Sequence, residues 1–325
     1  MSTRYLVTGG AGFIGSHLVR RLVAEGAAVR VVDNLSTGQL DRLKDLRESI
    51  EFVEGDLADD RVSDEVAGGV ECVFHQAAVP SVQRSVRDPI ATNRANVTAT
   101  LNLLESCRNA GVRRFVYAAS SSAYGDTEVL PKAETMPPNP LSPYALQKLV
   151  GERYCKLYYD LYGLETVSLR YFNVFGPNQD PYSQYSAVIP KFISALSARK
   201  SITVYGDGEQ SRDFTYVDNV VEANLLASRV GGAPGKTFNI GCGTRTTLNN
   251  LIQLLECILG VESTVIYAEA KAGDVRHSLA DIASAGRILG YSPKIMVEEG
   301  LRRTVRAMEE KTEKVKARKA LRRGG

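Results

Sequence analysis

The chain has 325 residues, 44% hydrophobic and 24% charged, enough for one large domain plus a smaller one, and it contains no apolar run long enough to span a membrane. Its formal net charge of +3 hides an asymmetry: residues 311–325 carry seven Lys or Arg against one Glu, a net +6, so the rest sums to −3. A solvated C-terminal helix explains such a tail, and neither a nucleic-acid nor a membrane partner is expected. Five scattered cysteines without a C-x-x-C pair and only three histidines exclude a zinc site and point to reduced, buried thiols. The first strand starts within a few residues of Met1, which leaves no space for a secretion signal, so a cytoplasmic location is expected.

Taken in order, residues 5–7 form a short apolar strand and residues 13–25 carry apolar side chains at helical spacing (Ile14, Leu18, Leu22). Gly10, Gly12 and Gly15 lie between them. Glycines at such a turn permit a tight bend, close approach of a pyrophosphate and close helix packing, and the helix N-terminus that follows attracts an anion. A second strand over 28–32 ends in Asp33, 18 residues beyond Gly15, where a carboxylate suits the ribose 2'-hydroxyl of NAD and repels a 2'-phosphate. Asn34, Ser36 and Gly38 follow in a loop able to wrap the adenosine end, although ordinary turn chemistry selects the same residues. Strands over 51–53 and 71–75 deliver Asp56 and Gln76-Ala77-Ala78 to the carboxyl edge of the sheet, where ligands bind in an open α/β fold.

Residues 89–110 read as one helix, with Asp88 before Pro89 and Gly111 as its stop. The strand over 112–119 leads into Ser120-Ser121-Ser122, and Ser142-Pro143 opens a helix to about Tyr162 that contains Tyr144 and Lys148. A strand over 165–171 precedes a break in the βα rhythm at 173–186, where the domain change is expected. A helix over 217–230, a strand over 236–240 and a helix over 248–259 then return part of the chain to the first sheet.

Tyr144 and Lys148, four apart, share one helix face. For tyrosine to act as a base near neutrality its pKa must fall from about 10 to about 7, roughly 4 kcal/mol, and a neighbouring ammonium and a cationic nicotinamide both push that way. Tyr267 and Lys271 have the same spacing but no serine-rich strand end before them, and read as a surface pair.

The segments T-G-G-A-G-F-I-G, D-N-L-S-T-G, H-Q-A-A, S-S-S-A-Y-G-D, Y-A-L-Q-K, R-Y-F-N-V-F-G-P, G-D-G-E-Q-S-R-D-F-T-Y-V-D and G-D-V-R-H-S run through almost the whole chain. Together they resemble the extended short-chain dehydrogenase/reductase superfamily and, within it, the nucleotide-sugar 4-epimerases. The resemblance implies an α/β fold with a Rossmann-type doubly wound parallel sheet over 1–172, rejoined at about 214–241, and a smaller α/β substrate domain over 173–325. It further implies a tightly held NAD, a UDP-sugar across both domains, and a homodimer packed through the helices near 88–110 and 142–162.

Carried onto this chain, Tyr144 takes the 4-hydroxyl proton, Lys148 holds the nicotinamide ribose, and Ser120 and Ser122 hydrogen-bond the reacting oxygen. The resemblance brings Gly9, Phe13, Ile14, Leu57, Asn96, Tyr171 and Val174 to the cofactor as well. On the substrate side it implies Ser81, Asn173, Val188, Lys191, Tyr205, Arg212, Arg276 and Ser278, of which Lys191 also fits as the start of an ordinary amphipathic helix. Dehydratases and decarboxylases of the superfamily carry acids in the serine stretch, so Ser121 and Ser122 favour simple 4-epimerisation. A UDP-glucuronate epimerase or decarboxylase remains an alternative, as does an idle dinucleotide sensor. Ser278 replaces a tyrosine that closes the pocket in enzymes restricted to glucose and galactose, which implies room for an acetamido group and a lean to UDP-N-acetylglucosamine and UDP-N-acetylgalactosamine. Equally, a serine there could cap the following turn.

Overall fold

The computed structural model describes residues 4–180, 187–269 and 275–321. In chain order the first strands are β1 (Arg4–Thr8), β2 (Ala28–Asp33), β3 (Ile50–Glu54), β4 (Cys72–His75), β5 (Arg114–Ser120) and β6 (Glu165–Tyr171). They are followed by β7 (Val174–Phe175), β8 (Ile202–Tyr205), β9 (Ser211–Arg212), β10 (Thr215–Tyr216), β11 (Lys236–Ile240), β12 (Thr246–Thr247) and β13 (Val265–Ala268). Between and after them lie the helices α1 (Phe13–Ala24), α2 (Asp60–Ala67), α3 (Val82–Arg87), α4 (Pro89–Asn93), α5 (Ala99–Asn109), α6 (Pro143–Tyr162), α7 (Val188–Ser197), α8 (Val217–Arg229), α9 (Leu248–Leu259), α10 (Ala283–Leu289) and α11 (Val297–Leu321). Among the described residues no helix is long and apolar enough to cross a membrane.

Seven parallel strands form the central sheet in the order β11-β6-β5-β4-β1-β2-β3. The alternation of side chains along each strand fills both faces. Val7, Val31, Phe74, Val116 and Leu169 pack on one side with Leu18 and Leu22 of α1 and Val220 of α8. Leu6, Val73, Phe115 and Tyr117 pack on the other with Val66 of α2, Leu103 of α5 and Cys155 of α6. The strand order reverses between β1 and β4, and a doubly wound sheet opens a crevice at such a point. Beyond β6, the short pairs β7 with β10, β9 with β12 and β8 with β13 accompany α7, α9 and α11 around a third apolar cluster that includes Phe192, Leu251 and Leu301.

Several elements differ from the sequence reading. The helix expected over 89–110 is interrupted by a π turn at Arg94–Thr98, and α2 and α3 were not anticipated, being too short for a clear apolar period. Cys257 is exposed, on the outer face of α9, whereas the other four thiols are buried. Tyr267 lies exposed on β13, not on a helix, and its hydroxyl donates to Asn249 Oδ1; Lys271 lies outside the described residues.

One buried ion pair ties the helix carrying Tyr144 to the sheet. Arg170 of β6 binds both carboxylate oxygens of Glu152 of α6 at 2.7 and 2.8 Å, and its guanidinium lies 4.7 Å from the Tyr124 ring centroid. Removing one partner strands the other charge in the interior. Glu152→Ala is therefore expected to lower unfolding free energy by roughly 3–5 kcal/mol, as read from denaturant unfolding, whereas loss of an exposed pair costs about 1 kcal/mol or less.

Candidate active site

A cavity of about 1030 Å³ opens at the carboxyl edge of the sheet and extends to α7, β8 and the segment around Ser278. Its cofactor end is shaped by missing side chains. Gly9 has φ +63°, and a Cβ there would come within 2.8 Å of the Ala77 backbone; a Cβ on Gly15 would lie 2.2 Å from the Gly9 carbonyl oxygen. Gly12 precedes α1, whose N-terminus no side chain caps, leaving main-chain N–H groups for an anion. This cradle fits a dinucleotide diphosphate.

Asp33 at the end of β2 lines the cavity, and its carboxylate accepts hydrogen bonds from Leu35 N (2.8 Å) and Ala11 N (3.0 Å). Burial raises its pKa, partly offset by those amides. Gly38 packs against this carboxylate and does not line the cavity. The sequence reading missed Arg42, which also lines the cavity and donates to Ala11 O (2.9 Å) and Asn178 O (3.0 Å). His17 of α1 adds a hydrogen bond to Pro177 O at 2.9 Å, so the stretch after β7 is fastened to the glycine loop side twice. Nothing in the spacing of Asp33 and Arg42 signalled this contact.

At the centre, β5 ends on Ser120, whose Oγ accepts from Ser122 N (3.2 Å) and from Ser122 Oγ (2.8 Å). Ser142 caps α6 by accepting from Ala145 N, and Ser85 Oγ accepts from Tyr144 N at 3.0 Å, which fixes the first turn of the helix. Tyr144 and Lys148 both face the cavity from that helix. The Lys148 ammonium donates to Ala118 O at 2.8 Å and lies 5.1 Å from the Tyr117 ring centroid. Burial lowers its pKa to about 8.

Tyr144 departs from the expected electrostatics. Burial raises its pKa, Ser120 pulls it partly back, and Lys148 does not lower it. His75, fully buried, explains part of the rigidity behind the site. The Thr100 hydroxyl donates to Asn96 O (2.7 Å) and so accepts from His75 Nε2–H (2.9 Å), leaving Nδ1 to accept from the Thr8 hydroxyl (2.8 Å). Thr8 Oγ1 in turn accepts from Ala77 N. Burial lowers the imidazole pKa to about 3, so it stays neutral.

The far end is lined by Asn173, Val174, Val188, Lys191, Tyr205, Arg212 and Ser278. Ser278 N donates to Ser211 O at 3.0 Å, and no helix starts at this serine: α10 begins at Ala283. Arg212 donates to Ser211 O and Arg276 O. Of the site residues singled out from the sequence, all line the cavity except Gly10, which packs against Val31, and Gly38, Ser81, Asn96 and Arg276. Ser81 caps α3 instead, accepting from Arg84 N. The Asn96 amide is consumed by Val79 N, Val79 O and Gln147 Oε1, and the Arg276 guanidinium forms an exposed pair with Asp207 at 2.8 Å.

Residues 5–241 match the model of the NAD dependent epimerase/dehydratase family. The chain belongs to that family. As an epimerase/dehydratase it uses NAD, and the glycine cradle and Asp33 fit that cofactor. The UDP-glucose 4-epimerase of Mycolicibacterium smegmatis is 38% identical over 95% of this chain and 100% of its own length. The crystal structure of the Thermotoga maritima UDP-glucose 4-epimerase with UDP-glucose superposes with a TM-score of 0.91 at 40% identity, covering 95% of this chain and 100% of that one. The UDP-N-acetylglucosamine 4-epimerase of Methanobrevibacter ruminantium, in complex with UDP-N-acetylmuramic acid, gives a TM-score of 0.91 at 39% identity, covering 95% and 99%.

Two outcomes are expected from the central pair. Tyr144→Phe should retain NAD while losing about 10²–10⁴-fold in turnover, the usual weight of a positioned proton acceptor, measured by steady-state kinetics on cofactor-loaded protein. Lys148 loses its charge as pH rises through about 8, so NAD affinity measured by titration should fall across that range in the wild type. In Lys148→Met it should be weaker and flat with pH.

Proposed function

We propose that the protein is a UDP-sugar 4-epimerase that inverts C4 of a UDP-hexose through a transient 4-keto sugar. The observation that carries this reading is the convergence of Tyr144, Lys148, Ser120 and Ser122 on the cavity that begins at the glycine cradle. NAD supplies the hydride acceptor and donor for C4. Tyr144 receives the 4-hydroxyl proton and returns it after the sugar has turned over, while Ser120 and Ser122, already bonded to each other, orient that oxygen. Lys148 would hold the nicotinamide ribose, and the positive charge of an oxidised nicotinamide would act against the burial that raises Tyr144. Asn173, Lys191 and Arg212 would hold the diphosphate and uridine, within a substrate domain spanning mainly 173–325.

Ser121 and Ser122, where related lyases carry acids, support inversion without loss of a substituent. The cavity-lining Ser278, at which no helix starts, supports the lean to UDP-N-acetylglucosamine and UDP-N-acetylgalactosamine, with UDP-glucose and UDP-galactose also accepted. Five free thiols support a cytoplasmic location. A homodimer is supported by apolar side chains left exposed on α4 and α6, with Ile90 83% and Leu161 66% accessible.

The test is NMR of products after incubation with each UDP-sugar. Interconversion of the acetamido pair and of the plain pair, without net NADH release, is expected. Turnover of uronic acids alone, decarboxylation, or no inversion at all would overturn the reading. Ser278→Tyr should abolish turnover of the acetamido pair and spare the plain sugars; a tyrosine variant that still inverts acetamido sugars removes Ser278 from the specificity argument.

A further inference from the structure

Next to Arg212, and outside the cavity wall, stands Asp213, a carboxylate with no exposure to solvent. What surrounds it is main-chain N–H rather than a cation. Its Oδ1 accepts from Cys242 N at 2.7 Å, and its Oδ2 accepts from Gly243 N at 3.0 Å and Ala280 N at 3.2 Å. Burial nevertheless dominates and lifts its pKa to about 6. The packing leaves no slack: a Cβ on Gly241 would lie 2.7 Å from Oδ2 and 2.6 Å from the Ala280 Cβ.

The amides come from two separate segments. Cys242 and Gly243 follow β11 of the central sheet, while Ala280 belongs to the stretch 276–281 that carries Ser278. That stretch is bound on its other sides too: Ser211 N donates to Arg276 O (3.0 Å), and Lys132 N donates to Leu279 O (2.8 Å). Asp213 also connects backward, since its own carbonyl accepts from Asn173 Nδ2 at 3.3 Å. Asn173, Arg212 and Ser278 all line the far end of the cavity. A single buried residue therefore fastens the Ser278 stretch to the sheet edge through its carboxylate, and meets Asn173 through its own carbonyl and Arg212 as its chain neighbour.

We infer that Asp213 is a positioning residue for the UDP-sugar half of the site, holding Arg212, Asn173 and the Ser278 segment in register without touching substrate. The inference rests on the functional reading above and goes beyond it in giving a role to a residue to which the motifs assigned none. Three accepted N–H bonds explain why the group is a carboxylate: an amide of the same shape offers one acceptor oxygen and turns an NH₂ toward donors. Lost register should weaken nucleotide binding and leave the glycine cradle and Tyr144 intact.

The experiment titrates UDP into NAD-loaded wild type, Asp213→Asn and Asp213→Ala, with bound NAD and the steady-state constants measured in parallel. Roughly tenfold weaker UDP binding is expected for the asparagine variant, and more for the alanine one. KM should rise by about the same factor while kcat stays within about threefold, since the reacting groups do not move. Unchanged UDP affinity in Asp213→Asn, or bound NAD lost in proportion to UDP affinity, would overturn the assignment. If the alanine variant fails to fold, the near-isosteric asparagine variant decides. Because UDP alone is the probe, failure of every sugar in the NMR assay would refute the proposed reaction and still leave the role of Asp213 open to this measurement.

Discussion

The close approach of α1 to the loop before it is the constraint on which the site depends. A Cβ on Gly15 would sit 2.2 Å from the Gly9 carbonyl oxygen, well inside any contact that real atoms make, so only a hydrogen at that position lets the helix begin where it does. That start brings the uncapped N–H groups of α1 to the edge where β1 and β4 part. The same edge receives Ser120 from β5 and, beyond β6, Asn173 and Val174. A bulkier residue at Gly15 would displace the helix, and with it His17, whose bond to Pro177 O fastens the stretch after β7. One absent methyl thus sets both the anion site and the closure above it.

Behind the cavity wall, buried polar groups are arranged so that few charges compete. His75 is neutral because the interior lowers its pKa to about 3, and its two ring nitrogens are used on Thr8 and Thr100. A cationic imidazole stacked on Tyr117, whose ring also faces the Lys148 ammonium, would set two positive charges across one aromatic ring. Neutral His75 leaves Lys148 as the cation of that cluster. One turn further along α6 from Lys148, the Arg170–Glu152 pair neutralises itself, and Tyr124, beneath the Arg170 guanidinium, donates to Asn239 Oδ1 at 2.7 Å. Asn239 Nδ2 then donates to Lys132 O and Asp281 O, so a continuous polar chain runs from the helix of Tyr144 to the ends of the segment of Ser278.

Much of this was legible in the chain because its signals are local. Ser142-Pro143 at the start of α6 and Gly163, with φ +71°, at its end fix a helix that the sequence bounds correctly, and β6, β11 and α9 show equally clear apolar runs between turns. What escaped detection depends on contacts between distant segments. Arg42 reaches Asn178 across 136 positions, and no periodicity encodes that. The resemblance brings Asn96 to the cofactor, yet in the π turn its amide bonds Val79 and Gln147, where it secures the loop after Ala78 instead. The burial that raises the Tyr144 pKa is equally invisible in helical spacing, which places Lys148 one turn away but does not show that its ammonium donates to Ala118 O. Asp213 stood unread in R-D-F because its three amide partners lie 29, 30 and 67 residues away.

The double fastening by His17 and Arg42 bears on how the protein spends its working life. A redox enzyme that hands electrons to a diffusing carrier must let that carrier leave after every cycle, and a closed roof would throttle it. Inversion at one carbon returns the coenzyme to its starting oxidation state within a single visit of the sugar, so nothing is gained by exchange. The hydrogen bonds to Pro177 O and Asn178 O tie the stretch after β7 to α1 and to Arg42, beside the glycine cradle. Such a reaction favours a dinucleotide that stays from one sugar to the next, and two bonds that stiffen the wall beside the glycine cradle act in that direction.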